Sequence, residues 1–286
     1  MGSLALTRGG LPTLKALFAA LTLLAATPAL AQDQGDDDQE PVKPRFCPPR
    51  PSLGSSSCTT EPGRIHVEMS LLDWERDDRT DSREDRILAA DLLARIGVGA
   101  KTEVQVGWTT FGHDRERDRM SGDIDRTDGV GDVTLALRQH LAGEEGKPFS
   151  LGLQPFVTLP VGRYPVGAGD WSAGVIVPLQ YDLTKTLAVQ FTGESDAAAN
   201  DSGSGQHLAY SGIVGLRYKL TEDINLIGEA KLERDRDPSG HETHALAAAS
   251  VSWKPTKTFQ IDAQAIAGLN RTSPDVRLIL GGAVLF

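Results

Sequence analysis

Val276-Arg277-Leu278-Ile279-Leu280-Gly281-Gly282-Ala283-Val284-Leu285-Phe286 closes the chain, and the fold is read outward from it. Taking every second residue back from the terminus (Phe286, Val284, Gly282, Leu280, Leu278, Val276) gives an almost wholly apolar face. The other face, Leu285, Ala283, Gly281, Ile279 and Arg277, is smaller and carries one charge. Alternation with a period of two over about ten residues suits a tilted strand that crosses a bilayer, with lipid on one side and a lumen on the other. An apolar strand with an open edge recruits other chains, and closing a barrel removes that edge because the last strand pairs with the first. Taken alone, this strand also fits the interior of a soluble β-sandwich.

The rest of the chain separates the two. The same alternation recurs over Ile65 to Leu71, Leu88 to Ile96, Val104 to Trp108, Val133 to Leu137, Phe149 to Leu159 and Trp171 to Tyr181. It continues over Leu187 to Phe191, Leu208 to Tyr218, Leu226 to Leu232, Ala245 to Trp253 and Phe259 to Ala267, so that the terminal strand makes twelve, an even number. Links after even strands are short, and three repeat one pattern, as in Leu183-Thr184-Lys185-Thr186-Leu187. Links after odd strands are longer, and Glu75 to Arg86 and His113 to Arg126 are densely charged. Short turns at one end and long loops at the other is the layout of outer-membrane barrels, and a sandwich has no reason to keep it. The polar face carries both signs at strand centres (Asp91, Arg95, Arg138, Glu229, Lys231). Trp108, Trp171, Tyr181, Tyr210, Tyr218, Trp253 and Phe286 lie near strand ends on the apolar face, where interfacial girdles belong. The expected fold is all-β: an antiparallel up-and-down transmembrane β-barrel of about 12 strands over residues 63–286. Its lumen is expected to be lined by Arg95, Glu103, Arg138, Gln154, Arg217, Glu229 and Lys231. Mixed signs across a narrow lumen predict that Asp91, Glu103 and Glu229 have Arg95, Arg138, Arg217 or Lys231 as neighbours across the strand ladder or the lumen.

Two segments precede the barrel. Arg8 and Lys15 lead into the apolar run Ala16 to Ala26, followed by Thr27-Pro28 and the triplet Ala29-Leu30-Ala31. This is the pattern of a secretory signal over 1–31, cleaved between Ala31 and Gln32; a retained anchor helix is the alternative, and Pro28 and the shortness of the run speak against it. Its removal takes away two positive charges and carries the formal charge from −10 to −12. A negative surplus disfavours nucleic acid, whose phosphates need clustered Lys and Arg. Residues 32–62 open with Asp36-Asp37-Asp38-Gln39-Glu40, are rich in proline and end in Ser55-Ser56-Ser57. So few apolar groups cannot fold alone, so the segment reads as a disordered periplasmic tail, a plug or a partner-docking arm. Cys47 and Cys58 are the only cysteines, and in an oxidising compartment they read as one small disulfide loop, with free thiols the alternative.

No catalytic or metal constellation emerges, and no cofactor is expected. His241-Glu242-Thr243-His244 is one residue short of the zincin spacing and sits in a loop. Gly129-Val130-Gly131-Asp132 is followed by no βαβ unit and reads as a strand entry. His66 and Ser70 share a strand face, but four residues along a strand separate them by about 13 Å, too far for proton transfer. His140, beside a turn, is expected to face periplasmic water.

Four stretches carry a resemblance: Thr127-Asp128-Gly129-Val130-Gly131-Asp132-Val133-Thr134-Leu135 with Arg138 and Leu141, Pro155-Phe156-Val157-Thr158-Leu159-Pro160-Val161-Gly162, Gly169-Asp170-Trp171, and Val177-Pro178-Leu179-Gln180-Tyr181-Asp182-Leu183-Thr184. From Glu61 to Phe286 the chain resembles the outer-membrane family labelled "MetA-pathway of phenol degradation". Its members are usually called transporters and are associated with catabolism of aromatic or hydrophobic compounds; it carries no established binding residues to transfer. The expected function is a passive channel for small molecules in the outer membrane, with the N-terminal tail and the C-terminus periplasmic and no enzymatic activity. Expected partners are outer-membrane lipid and lipopolysaccharide, the barrel-insertion machinery, which reads the terminal strand at Phe286, and a small-molecule solute. The rival is a non-conducting structural or adhesion barrel acting through its charged outer loops.

Overall fold

The computed structural model describes residues 45–143 and 147–286. The segment read as a signal, its Ala31–Gln32 junction and the acidic run to Glu40 lie outside the described residues. Every helix or strand among the described residues is a strand. They are β1 (Ile65–Asp78), β2 (Ser82–Gly99), β3 (Thr102–Asp118), β4 (Ile124–Gly129), β5 (Val133–Ala142), β6 (Phe149–Leu159), β7 (Ser172–Asp182), β8 (Leu187–Ala199), β9 (Gln206–Lys219), β10 (Ile224–Asp235), β11 (Thr243–Thr256), β12 (Phe259–Gly268) and β13 (Val276–Leu285). β13 returns to pair with β1 from His66↔Leu285 to Arg76↔Val276, which closes the ring. β3 serves two neighbours, β5 along its first half and the short β4 along its outer half. β4 therefore stands outside the ring, and twelve antiparallel strands form the barrel.

Alternation places the faces as the terminal strand requires. On β13, Leu278 and Leu280 point outward while Ala283 and Leu285 are buried. Many large apolar side chains are exposed, including Trp108, Tyr181, Tyr210, Tyr218 and Trp253, whereas the fully buried large ones are mostly polar or charged: Arg95, Arg138, His66, Gln260 and Glu103. That is the inverse of a water-soluble protein and the arrangement of a barrel in lipid.

Two departures from the sequence reading matter. The stretches Glu75 to Arg86 and His113 to Arg126 are largely strand, not loop: β1 runs to Asp78, β2 starts at Ser82, and β3 turns into β4 only after Asp118. Beyond the lipid both faces are wet, so the backbone ladder continues without apolar alternation, held by cross-strand pairs such as Arg76–Asp85 at 2.8 Å. The second is a phase slip. Ser70, Asp91 and Thr109 are cross-strand partners facing inward, yet one level up the inward set is Asp73, Leu88 and Gly112. Each strand uses one extra residue at this height, and in β2 it is Ala90, the only non-glycine at positive φ (51°) among the described residues. A β-branched or bulky residue would be strained there, and Ala keeps the cost small. The expectation that Leu88, Ala90 and Leu92 share one face is thereby corrected: Leu88 lies on the lumenal side.

Candidate functional site

The interior of the barrel holds a piece of the chain itself. Residues 45–62, read from sequence as part of a loose tail, lie inside the lumen at the end that carries the short turns and Phe286. They hydrogen-bond to side chains from nine strands: Ser70 of β1, Arg95 of β2, Glu103 of β3, Arg138 of β5, Gln154 of β6, Thr192 of β8, Glu229 of β10, Lys254 of β11 and Gln260 of β12. The composition that prevents this segment from folding alone suits it to a charged lumen. Its serines and backbone groups supply donors and acceptors, and Pro48, Pro49 and Pro51 bring no N–H to satisfy.

One guanidinium organises the lower half. Arg95 has no solvent exposure. Its Nε donates to Glu103 Oε1 at 2.9 Å and its Nη2 to Glu103 Oε2 at 3.1 Å. Nη1 donates to Glu68 Oε1 at 3.0 Å and to the Cys47 carbonyl at 3.1 Å, and Nη2 also donates to the Cys58 carbonyl at 2.9 Å. All five N–H groups are thereby used. Cys47 and Cys58 are joined by a disulfide, with Cα atoms 6.4 Å apart, so Arg95 grips both ends of the loop the bond closes. Arg138 stands 3.3 Å from Glu103 and donates to Gln154 and to Ser55 Oγ, both at 2.8 Å. Glu103 also accepts from the Thr60 backbone N–H at 2.6 Å. His140, expected to face water, is instead turned toward the segment, with Nδ1 3.1 Å from the Ser57 carbonyl.

A second grip lies higher, on the opposite wall. Glu229 accepts from Ser52 Oγ at 2.6 Å and from the backbone N–H groups of Leu53 at 2.9 Å and Gly54 at 3.4 Å. Arg50 pairs with Asp262 at 3.2 Å and donates to Ser70 Oγ at 3.0 Å. Of the expected bases Arg95, Arg138, Arg217 and Lys231, the first two meet Glu103, whereas Glu229 and Asp91 are held by other groups, and the base near Asp91 is Arg277. Glu229 accepts hydrogen bonds from the Ser52 hydroxyl and backbone N–H groups of the inserted segment, and Asp91 accepts from Thr109 Oγ1 at 2.7 Å.

Of the seven expected lining residues, Arg95, Glu103, Arg138 and Gln154 converge on the segment and Glu229 holds its upper turn. Lys231 pairs with Glu233 at 2.5 Å, and Arg217 is half-exposed, 3.8 Å from Asp182. The sequence reading missed Arg50, Ser52, His66, Glu68 and Asp262 as members of the site. The alternation that put Arg95 inside does the same for His66, Glu68 and Asp262, but nothing local marks Arg50 or Ser52.

Water-accessible space remains on both sides of the segment. A cavity of about 250 Å³ lies between Pro48–Arg50 and Gln190, Arg217 and Lys254. A larger one of about 600 Å³ lies between Ser56–Thr59 and Lys101, His140 and Gln180. On the far side, about 230 Å³ is lined by Leu53, Glu75, Lys231 and Arg277. Above that, the loop 160–170 folds inward, so that Val166 packs on Gly112 and Gly129 at the mouth opposite the short turns.

The chain has the fold of an outer membrane channel from Pseudomonas putida F1, at 16% identity over 82% of this chain and 99% of that one, with a TM-score of 0.66. The transport unit of the autotransporter AIDA-I from Escherichia coli is similar at 8% identity, over 77% and 88%, with a TM-score of 0.51. The translocator domain of the autotransporter NalP from Neisseria meningitidis is similar at 13% identity, over 78% and 88%, with a TM-score of 0.50. No curated protein sequence matches. A family model matches residues 49–286, beginning twelve residues before Glu61 and so taking in most of the lumenal segment. The chain belongs to the family described as "Putative MetA-pathway of phenol degradation".

Proposed function

We propose that the protein is an outer-membrane channel for small molecules whose conduit is closed by its own N-terminal segment and opens when that segment leaves. The observation that carries this reading is the chemistry of the closure. Residues 45–62 are held by polar and ionic contacts to the wall, while the barrel closes on itself through β1 and β13 without them. A barrel of twelve strands lies between small barrels that side chains fill and large porins with open channels, so an inserted segment decides whether it conducts. Acids and bases share the lumen, which predicts weak ion selectivity once it is open. The family description names phenol degradation, so small aromatic acids and alcohols are the first solutes to test. The short-turn end faces the periplasm in this reading, which puts the segment's entry on that side.

Planar-bilayer recordings of the full-length protein and of a variant lacking residues 45–60 test it. The full-length protein should be closed or only briefly open, and the deletion should conduct steadily. Absence of conductance from a correctly inserted deletion variant sinks the channel reading and favours the non-conducting barrel.

A further inference from the structure

The outer halves of β1 to β4 form a sheet with chemically opposite faces. Toward the lumen, directly opposed residues across the four strands are Asp77, Glu84, Glu116 and Asp125. On the outer face one row reads Arg76, Asp85, Arg115 and Arg126, and the next begins Asp78, Arg83 and Arg117. Trp74 fixes which face is outside. It borders an apolar trough on the lipid-facing wall together with Leu72, Leu278 and Leu280, and the Arg76 guanidinium lies 4.8 Å from its ring centroid.

This outer face is over-supplied with positive charge. Asp85 lies 2.8 Å from Arg76, 2.9 Å from Arg83 and 3.9 Å from Arg115, so one carboxylate serves three guanidiniums. Neither Arg117 nor Arg126 has an acidic partner within salt-bridge distance among the described residues. Arg83 stands directly opposite Arg117, and Arg115 directly opposite Arg126. Like charges opposed across a sheet destabilise it unless something anionic lies over them. The arrangement sits just above Trp74, at the height where lipid headgroups meet a barrel wall. Below it on the same side the trough has a volume of about 620 Å³ and a floor that includes Ala263 and Ala265.

We infer that this surface binds a phosphorylated membrane lipid, its phosphate on the arginines of β1 to β4 and an acyl chain in the trough beside Trp74. Arginine suits the task because its planar fork meets phosphate oxygens in pairs. The apolar trough beside the charges favours a lipid over a free anion. Lipid binding on this face is independent of whether the barrel conducts.

The test uses the full-length protein in dodecyl maltoside micelles, with diphosphoryl lipid A, its dephosphorylated form and inorganic phosphate as separate probes. Folding of each variant is checked by its mobility on cold gels before and after heating. Diphosphoryl lipid A should bind, and Arg115→Gln with Arg126→Gln should weaken it about tenfold or more through the lost charge-assisted bonds. Ala265→Phe, which fills the trough, should weaken it several-fold, and Lys185→Gln, in a short turn at the other end, should change nothing. Equal binding of the dephosphorylated lipid, an unaffected arginine double variant, an unaffected Ala265→Phe or inorganic phosphate binding as tightly as the lipid would each overturn the inference.

Discussion

Replacing both cysteines, Cys47→Ser with Cys58→Ser, loosens the lumenal segment without altering the barrel wall. The disulfide spans a sequence separation of 11, and for a loop of that size chain statistics give an entropy of about 9 cal/mol/K, or about 2.8 kcal/mol at 25 °C. While the segment is docked the loop is fixed with or without the bond, because Arg95 holds both cysteine carbonyls. The gain in freedom therefore falls almost wholly on the undocked state. A difference of about 2.8 kcal/mol is about two powers of ten in an equilibrium constant. Single-channel recordings read it directly: the fraction of time open should rise about a hundredfold in the double variant, and reduced wild type should behave alike. If the variant and the oxidised wild type open equally often while deletion of residues 45–60 conducts, the segment does not leave as one cross-linked unit and the reasoning fails.

Three further outcomes follow from the geometry. Arg95→Met should cost about 3–5 kcal/mol by leaving Glu68 buried without its cation and Glu103 with Arg138 alone, seen as loss of the heat-modifiable form at lower temperature; adding Glu68→Gln should restore part of it. Gly97→Ala places a Cβ 1.9 Å from the Glu61 carbonyl oxygen, an overlap with backbone that should cost about 1–3 kcal/mol and lower the melting temperature. At the mouth opposite the short turns, beyond the lipid-facing band, burial and a hydrogen bond with the Asp114 carboxyl raise the Glu84 carboxyl from its ordinary 4.5 to about 7. A raised carboxyl favours the folded state only while protonated, so the β2–β3 extension should loosen as pH rises from about 4.5 to about 7. Hydrogen exchange at Arg83 to Arg86, corrected for intrinsic rates, should show this in the wild type and not in Glu84→Gln.

The barrel was legible because lipid imposes one simple demand, an apolar outer face, on every strand. That demand marks Leu278 and Leu280 as outward, and its complement marks Arg95, Glu103 and Arg138 as inward. It lapses where the strands leave the bilayer, which is why Glu75 to Arg86 reads as loop although the backbone stays paired. A one-residue slip at Ala90 is also invisible, because Ala89 and Ala90 suit either face equally. The lumenal segment was illegible for another reason. Its partners are distant in sequence: Arg50 meets Asp262 across 212 positions and Ser52 meets Glu229 across 177. The tail by itself shows only too little apolar surface to fold, and its order comes from a wall written much later in the chain.

That separation sets the order of assembly. Residues 45–62 emerge ahead of every strand, yet the wall they dock against draws on nine strands between β1 and β12 and is complete only once β13 has joined β1. The segment made first must therefore settle last, after long-range closure that contact-order arguments already make slow. Until then its cysteines remain reachable by oxidising enzymes, and the acids and arginines of the unfinished wall stay hydrated. Docking and maturation become a single event: the segment cannot seat before the barrel is whole.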